Sequence, residues 1–562
     1  MIERGVLGPL PNLGLMMTIL VAIVLLGSLL AVWYLDRPAG RFGELLRRQF
    51  VMGVPWGTLV VVGLVLTVYL FLQGGWDRWY NPMTVPFRSW SYFYPLGVIT
   101  APFSHMGAGH LLGNLFGTII FAPIAEYAWG HFPTGRGQET FRSWRRNPWI
   151  RALVLFPAGV IGVGLATSLF SLGPVIGFSG VVFAFAGFAI VRYPLTTVVA
   201  ALGGPSTISL LYRALRNPSL TASPSPRPPT TPWWAEIAIQ GHAIGLLIGV
   251  LLGVVILWRR GVRPDAWRVW VAVLIFAADE ALWAVYWYRG NETYVLFRGP
   301  GVVLIALLAV VVTLAVATSD REVVGSLSSR QVWMSVLLLS AAALTGPAIA
   351  TNFITVGSAS PPDTTVEVRD YTVFYAEDVE NQMVSVVEVE AFGESTTVNT
   401  SGLIVTNERR NIWTQQVSKA RIAFIGRGSV TVGGIGWRER VSATRRGWST
   451  TGGGTAYMVW LNPPDEDSRL AFASEPATAD PVIGGRNISV VSREGSFYLE
   501  VTRNNSSVGD VRIEELSASE SIHNRTAAVS VEELRFLRVG DKIYAINNGT
   551  IVRVANKESY RN

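Results

Sequence analysis

The chain has no cysteine and almost no lysine. Without cysteine, the 562 residues can form no disulfide, thiolate metal site or cysteine nucleophile. Lysine occurs only at Lys419, Lys542 and Lys557. Charge is scarce as well, since half of the residues are hydrophobic and only 15% are charged. The position of the apolar residues therefore decides the fold class.

Charge divides the chain near residue 357. Residues 1–360 carry 24 basic and 13 acidic side chains, whereas residues 361–562 carry 22 and 26. A net charge of +7 would suggest nucleic-acid binding in a soluble protein. Here the arginines cluster in short loops between apolar runs, where membrane topology explains them better. We therefore expect no nucleic-acid partner.

The apolar residues form about ten runs that approach the length needed to cross a bilayer, about 20 residues. The run at 195–213 is interrupted by glycine and serine, and the first run is expected to be a retained helix because no small-residue cleavage site follows it. The runs cover residues 13–35, 55–74, 106–128, 150–170, 175–193, 195–213, 236–258, 267–288, 297–317 and 332–356.

Arginine-rich loops predict the orientation of these spans. Such loops follow the first, third and seventh runs, near residues 37–48, 136–146 and 259–263. Because basic loops face the cytoplasm, strict alternation over ten spans places the C-terminal tail outside. If 195–213 did not cross the membrane, the loop at 259–263 would fall on the wrong side.

The tail, residues 358–562, has the pattern of a β domain. Stretches of alternating polarity, among them residues 383–392, 496–503 and 542–554, are separated by Gly, Asn and Pro. Asn548-Gly549 is a strong signal for a two-residue hairpin, because both turn positions need a positive φ. We expect a β-sandwich or a pair of small β units, located outside the cell membrane.

Ser179 is the candidate nucleophile. It lies in Gly177-Phe178-Ser179-Gly180 at the start of the run 175–193. Flanking glycines let backbone and substrate approach the hydroxyl, and a helix start offers unpaired N–H groups. The same motif also arises where small residues pack membrane helices together, so it is weak evidence alone.

Histidine within spans is the second signal. Of five histidines, His105, His110 and His242 lie in or at the edge of apolar runs, which are costly places for an imidazole without a role. His242 precedes Gly245 and Gly249, a stripe of small residues on one helix face that permits close packing. A histidine that hydrogen-bonds a backbone carbonyl would fit the same position.

His110 and Asn114 are four residues apart at the start of the third run. Both side chains therefore lie on one helix face and can donate to a single oxygen, as an oxyanion hole requires. Two polar side chains bonded to each other would show the same spacing.

Taken together, the HxxxN, GxSG and His-x-x-Gly-x-x-x-Gly motifs, each on the required helix, resemble the rhomboid family of intramembrane serine proteases over residues 50–258. The resemblance implies a six-helix core without a cofactor or metal, in which Ser179 attacks and His242 accepts its proton. It further implies that His110, Asn114 and the Ser179 N–H hold the oxyanion, and that substrates are transmembrane proteins within the lipid bilayer. Glu126 with Gly130 fits a further family pattern.

Two positions depart from the family pattern. Phe183 stands where the family commonly has a tyrosine that stacks on the histidine, and we expect the stacking to persist. The Trp-Arg pair of the first external loop is absent as such, and Trp90-Ser91-Tyr92-Phe93 is the nearest match.

Domain boundaries follow from these assignments. The sequence predicts an additional helix with a basic loop over 1–50, the protease core over 51–260, three additional helices over 261–357 and the β-rich domain over 358–562. Asp279-Glu280 falls in the middle of the run 267–288 and could pair with Arg268 or Arg298; we expect a packing role there and not a catalytic one.

Two other functions remain open. A catalytically inactive rhomboid relative could bind membrane proteins for trafficking or quality control, although such relatives typically lose the serine or the histidine. A transporter would fit ten spans, but the chain lacks an evident inverted repeat. The partner of the tail cannot be inferred from its sequence, and His523 is expected to be a solvated loop residue.

Overall fold

The structure is a computed structural model. It describes residues 13–36, 41–133, 138–141, 143–219, 227–318, 322–324, 327–354, 361–383, 390–391, 394–395, 397–519 and 528–561. His523 and most of the predicted strand 383–392 lie outside the described residues. The chain divides into two compact units near residue 355: a helical unit, called the membrane unit below, and a β-rich unit, called the tail unit.

The membrane unit contains thirteen α-helices among the described residues. They are α1 (Leu13–Asp36), α2 (Arg41–Gln49), α3 (Trp56–Thr67), α4 (Pro95–Thr100), α5 (Ala108–Trp129), α6 (Pro148–Ile150), α7 (Phe156–Phe170), α8 (Ser179–Arg192), α9 (Pro194–Arg216), α10 (Ile239–Arg260), α11 (Ala266–Asp279), α12 (Arg298–Ala317) and α13 (Ser329–Asn352). The π-helical turns Val68–Leu72 and Arg151–Leu155 extend α3 and precede α7.

Seven helices in the described part of the chain are long and apolar enough to span a bilayer. Two shorter apolar helices, Trp56–Leu72 and Ser179–Arg192, accompany them in the described residues. The predicted polytopic helical fold is confirmed. The interrupted run at 195–213 is a continuous helix, Pro194–Arg216, despite Pro205.

Helix α8 is the central helix of the membrane unit. Eleven of its residues are buried, and it packs against α5, α7, α9 and α10. With 14 residues it is about 21 Å long, shorter than the ~30 Å hydrocarbon core. Its first residue is Ser179, so the helix begins four residues after the predicted start of this run at 175.

The predicted span 267–288 is wrong in its second half. Helix α11 ends at Asp279, and Ala281 has a φ of 55°, which no helix can accommodate. The indole of Trp283 donates to the Ala278 carbonyl at 3.0 Å and so satisfies one of the free carbonyls at the helix end. A short hairpin of β1 (Tyr286–Tyr288) and β2 (Tyr294–Leu296) follows.

Asp279 and Glu280 consequently lie at the end of a helix and not in its middle. Asp279 is exposed and Glu280 half-buried. Arg268, one of the two predicted partners, instead pairs with Asp265 at 3.1 Å. The acidic pair thus belongs to the turn that terminates α11.

A buried carboxylate joins α5 to α3. Glu126 accepts hydrogen bonds from the Gly57 and Thr58 amides, both at 2.8 Å, and from the Thr58 hydroxyl at 2.7 Å. His131 lies 2.7 Å from the same carboxylate and accepts from the Val51 amide at 2.9 Å. The first amides of α3 are therefore satisfied by a side chain of the helix that carries His110 and Asn114.

The described part of the tail unit is built from strands that pair antiparallel, except for one parallel pair at its end, and from one short helix, α14 (Lys419–Ile425). After the two-stranded pair β3 (Glu322–Val324) and β4 (Leu327–Ser328) of the membrane unit, the strands are β5 (Val366–Val368), β6 (Tyr371–Glu380), β7 (Glu390–Ala391), β8 (Glu394–Ser395), β9 (Asn399–Asn407), β10 (Ile412–Ser418), β11 (Arg427–Gly434), β12 (Trp437–Thr450), β13 (Thr455–Asn462), β14 (Arg469–Ala473), β15 (Ala477–Thr478), β16 (Asn487–Arg493), β17 (Ser496–Arg503), β18 (Ser506–Arg512), β19 (Ala518–Ser519), β20 (Val529–Val531), β21 (Leu534–Val539), β22 (Lys542–Asn547) and β23 (Thr550–Lys557).

Three larger sheets organise these strands: one of four strands in the order β10-β9-β6-β5, one of nine strands that includes β12 and β23, and one of four strands in the order β15-β16-β17-β18. The predicted all-β tail is confirmed. The hairpin at Asn548-Gly549 is present, since Asn547 pairs with Thr550 and both turn residues have positive φ angles of 47° and 86°. One apolar core includes Trp448 and Phe536, and a second, smaller one is centred on Trp413.

Candidate active site

Ser179 is the first residue of α8, and the segment before it is tied down on both sides. The Val175 carbonyl accepts from the Ser89 amide at 3.0 Å, and the Gly177 amide donates to the Ala101 carbonyl at 2.9 Å. Phe178, directly before the serine, is fully buried. These contacts fix the hydroxyl at the end of the central helix, where the first amides have no helical partner.

His242 reaches Ser179 from α10. Its Nε2 lies 2.7 Å from the Ser179 Oγ, within hydrogen-bonding distance. The other ring nitrogen, Nδ1, is buried and has no hydrogen-bond partner. Among the described residues, therefore, no carboxylate orients this histidine, and the pair is a dyad.

Phe183 lies one turn after Ser179 and covers the imidazole. The two ring centroids are 4.2 Å apart with an interplanar angle of 19°, a stacked arrangement. The stacking expected at this position is present without a tyrosine hydroxyl. It restricts the rotation of the His242 ring about its side-chain bonds.

Glycines bring α8 and α10 close enough for this dyad to form. A Cβ at Gly245 would lie 2.0 Å from the Gly180 carbonyl oxygen, and one at Gly249 would lie 2.0 Å from the Ala184 carbonyl oxygen. Both distances are far inside van der Waals contact, so only glycine fits. On the other side, Gly180 lies against Thr167 of α7, where a Cβ would be 3.1 Å from the threonine side chain.

His110 and Asn114 face the same short segment from α5. A Cβ at Gly177 would lie 2.6 Å from Cε1 and 2.7 Å from Nε2 of His110, and 3.6 Å from the Asn114 amide nitrogen. Asn114 is only 7% exposed, and its amide nitrogen has no hydrogen-bond partner. A buried donor left without a partner beside a serine is available to an anion that forms there.

His105 lies behind His110 and does not reach Ser179 through any contact. It is fully buried, its ring packs edge-on against His110 with centroids 5.1 Å apart, and neither ring nitrogen has a partner. Gln73 holds its backbone by accepting from the His105 amide at 2.8 Å and donating to its carbonyl at 2.9 Å. His105 thus supports the position of His110.

A small cavity of about 30 Å³ adjoins the dyad. Ser179, His242, Gly180 and Gly241 line it together with hydroxyl side chains of α7 and the following loop. Its volume corresponds to that of about one water molecule. The described residues contain no group of three or more His, Cys, Asp or Glu side chains arranged to hold a metal ion.

Comparison with known protein families identifies this region. A family model described as a rhomboid domain matches residues 92–259. The chain therefore contains a rhomboid domain. No curated protein and no solved structure gave a significant match. The matched residues include α5, α7, α8, α9 and α10, whereas α3 and the helices after α10 lie outside them.

The loop between α3 and α4 contains an arginine and a tryptophan in contact, in the order opposite to that of the expected Trp-Arg pair. The Arg88 guanidinium lies 5.4 Å from the centroid of the Trp90 ring, and the indole donates to the Val85 carbonyl at 2.8 Å. A Trp-Arg motif does not reveal this pair, because the arginine comes before the tryptophan in the chain.

Two polar side chains that the motifs did not indicate tie the rhomboid domain to α13. Gln240, two residues before His242, accepts from the Leu172 amide at 2.8 Å and donates to the Leu344 carbonyl at 2.7 Å. Asn352 donates to the Ser171 carbonyl at 3.0 Å. The loop that leads to Ser179 is therefore held by a helix outside the family match.

Proposed function

We propose that the protein is an intramembrane serine endopeptidase that cleaves transmembrane segments of other membrane proteins. The observation that carries this proposal is the 2.7 Å contact between Ser179 Oγ and His242 Nε2 inside a rhomboid domain. Such a contact is the arrangement that activates a serine, because the imidazole can accept the hydroxyl proton as the oxygen attacks.

In the proposed mechanism, Ser179 Oγ attacks the scissile carbonyl and His242 takes its proton. The carbonyl oxygen becomes an oxyanion that accepts hydrogen bonds from the Asn114 amide, from His110 and from the Ser179 N–H. His242 then gives the proton to the departing amine, which leaves an ester on Ser179. Water, deprotonated by His242, hydrolyses this ester and restores the hydroxyl.

His242 can act as the base although no carboxylate is bonded to it among the described residues. A carboxylate in a triad orients the imidazole and stabilises its charged form. Here the stacked Phe183 ring restricts the orientation instead, and the buried Nδ1 of His242 has no partner. Orientation in this protein is supplied by packing.

We also propose that the tail lies on the extracytoplasmic side of the cell membrane. The basis is the cluster of Arg259, Arg260 and Arg263 directly after α10, which the positive-inside rule places in the cytoplasm. Because the chain has no cysteine, one introduced at Ser506 can be labelled specifically. Labelling of intact cells by a membrane-impermeant maleimide supports the proposal, and labelling only after lysis contradicts it.

The function is tested by reconstituting the full chain in liposomes with a transmembrane substrate. The native protein should cleave the substrate, while Ser179→Ala and His242→Ala should each reduce cleavage below detection with an unchanged thermal unfolding midpoint. Absence of cleavage by the folded native protein would instead favour a binding role for a catalytically inactive rhomboid relative. Cleavage that persists in Ser179→Ala would assign the activity to another residue.

A further inference from the structure

Helix α11 lies outside the rhomboid domain but packs into it. The family match ends at residue 259, and α11 begins at Ala266. The helix packs against α9 and α12 and contacts α8. Its buried face includes Val269, Val273 and Phe276, each of them fully buried. A helix outside the matched residues is thus part of the core around α8.

Phe276 links α11 to the dyad through a contact with Phe183. Its ring meets that of Phe183 edge-on, with centroids 5.3 Å apart and an interplanar angle of 72°. On the opposite helix, Phe121 of α5 packs against Phe276 in the same manner, with centroids 5.8 Å apart at 82°. Phe276 is therefore held between α8 and α5.

Phe183 in turn is the ring that stacks on His242 at 4.2 Å. The three rings form a continuous series from α11 through α8 to α10: Phe276, Phe183 and His242. The Phe183 ring has no hydroxyl to anchor it, so its orientation depends on the rings and side chains that surround it. Phe276 supplies an edge-to-face contact, a geometry that aromatic rings prefer and that restricts ring rotation.

We propose that Phe276 is a positioning residue of the active site, which holds Phe183 against the imidazole and thereby keeps His242 aimed at Ser179. The inference rests on the proposed function, since the aim of the imidazole matters for a reaction only if His242 is the base. It adds to that function a contribution from outside the rhomboid domain. The final turn of α11 is then part of the catalytic apparatus of this chain.

The position of Phe276 along its helix agrees with this role. α5, α8 and α10 carry His110, Ser179 and His242 in their first two turns. α11 follows α10 directly in the chain and runs back across the unit, so its last turn, which contains Phe276, returns to the depth of the dyad.

A purely structural phenylalanine would also be buried, so the test needs a readout that stability alone does not change. The variant is Phe276→Leu, which keeps an apolar side chain and removes the ring. The matched control is Val269→Ala, a fully buried position two turns earlier on the same helix, about 10 Å along the axis. Both variants lose packing, but only the first loses the contact with Phe183.

For cleavage of a transmembrane substrate, Phe276→Leu should lower kcat roughly 3- to 10-fold with KM little changed, the range that corresponds to one lost aromatic pair. Val269→Ala should leave kcat unchanged at temperatures well below its unfolding midpoint. A double-mutant cycle with Phe183→Leu completes the test: once Phe183 is gone, Phe276→Leu should have no further effect on kcat. Equal kcat losses in Phe276→Leu and Val269→Ala, or additive losses in the cycle, would overturn the inference.

A second measurement does not depend on activity. The chain has only five histidines, so the ring ¹⁵N signals of a histidine-labelled sample can be assigned by substitution. The His242 signals should move or broaden in Phe276→Leu and stay in place in Val269→Ala. Unmoved His242 signals in Phe276→Leu would refute the positioning role even if the protein cleaves nothing, whereas failure of native cleavage alone would count against the proposed function.

Discussion

Single residues meet in the membrane unit because their helices start on one side of it. Ser179 is the first residue of α8, His242 the fourth of α10 and His110 the third of α5. These helices are separated by one returning helix each, so their first turns come to the same depth. A serine, a histidine and a buried amide donor can then surround one carbonyl group.

The first prediction concerns the oxyanion donor. Asn114→Ala should lower kcat by about 10² to 10³, the loss typical of one removed oxyanion donor, because its buried amide nitrogen has no other partner. KM should change little, since the bond forms as the charge develops. The measurement is steady-state cleavage of a reconstituted transmembrane substrate.

The control for this prediction lies one turn further along α5. Thr118 is fully buried and its hydroxyl donates to the Asn114 carbonyl at 2.7 Å. Thr118→Val removes a buried hydroxyl on the same face but no donor at the site, so kcat should stay near that of the native chain. Equal losses of kcat in the two variants would indicate a packing effect and not an oxyanion contact.

The site residues that the sequence indicates are those whose motif lies within a short stretch of the chain. His110 and Asn114 are one turn apart, and the glycines beside Ser179 are its neighbours in the chain, so motif and geometry coincide. The contacts of Gln240 and Asn352 join positions 68 to 181 residues apart, and the contact of Phe276 with Phe183 crosses from α11 to α8. Nothing in the local sequence distinguishes them from ordinary core residues.

At the scale of elements, the seam between α8 and α10 decides whether the dyad can form. The second prediction is that Gly249→Ala lowers the free energy of unfolding by about 1–3 kcal/mol, the usual cost of overpacking, and reduces cleavage. Its Cβ would lie 2.0 Å from the Ala184 carbonyl oxygen, so the helices must separate. Thermal unfolding and cleavage of the full chain in detergent measure the two effects.

Gly162 of α7 provides the matched control, because a Cβ there would meet no atom within 4 Å. Gly162→Ala should leave Tm unchanged or raise it, since alanine favours a helix by roughly 0.5–1 kcal/mol over glycine. If Gly249→Ala were as well tolerated as Gly162→Ala, close approach of the two helices would not be what holds His242 near Ser179.

Element boundaries were the least predictable part of the fold. The sequence remains largely apolar after Asp279 and through the aromatic hairpin. The length of the apolar run therefore does not show where α11 ends. The turn is set by Ala281 with its φ of 55° and by the Trp283 indole on the Ala278 carbonyl. Both features are local, but neither involves a glycine or a proline that would mark the turn in the sequence. The hairpin at Asn548-Gly549 was predictable because the turn requires those residue types.

At the scale of the whole molecule, a polar network stabilises the tail unit. Arg445 of β12 forms two hydrogen bonds with Glu558 at 2.8 and 3.0 Å, and the Tyr560 hydroxyl donates to the same carboxylate at 2.7 Å. Burial and the bond to Glu558 raise the pKa of Tyr560 above its ordinary value. The end of the chain is thereby attached to the nine-stranded sheet.

The third prediction follows from this network. The folded state raises the pKa of Tyr560 above the ordinary tyrosine value of 10.0. The contribution of Tyr560 to the stability of the tail unit is therefore fully present below pH 10. This contribution decreases as the pH rises further, because there Tyr560 ionises in the unfolded chain but not in the folded one. The measurement is a pH titration of tyrosinate absorbance for the native chain and for Tyr560→Phe. The two absorbances should increase equally near pH 10, and the native chain should gain the additional absorbance of one tyrosinate only when the tail unfolds. Ionisation of Tyr560 near pH 10 in the folded protein would contradict this.

The central claim is that His242 activates Ser179. It is tested most directly by reacting the full chain with a fluorophosphonate, which labels activated serines, and locating the adduct by mass spectrometry. We predict one adduct, on Ser179, that is lost in His242→Ala and after heat denaturation. An adduct on another serine, or undiminished labelling of Ser179 in His242→Ala, would show that the dyad seen at 2.7 Å does not function as one.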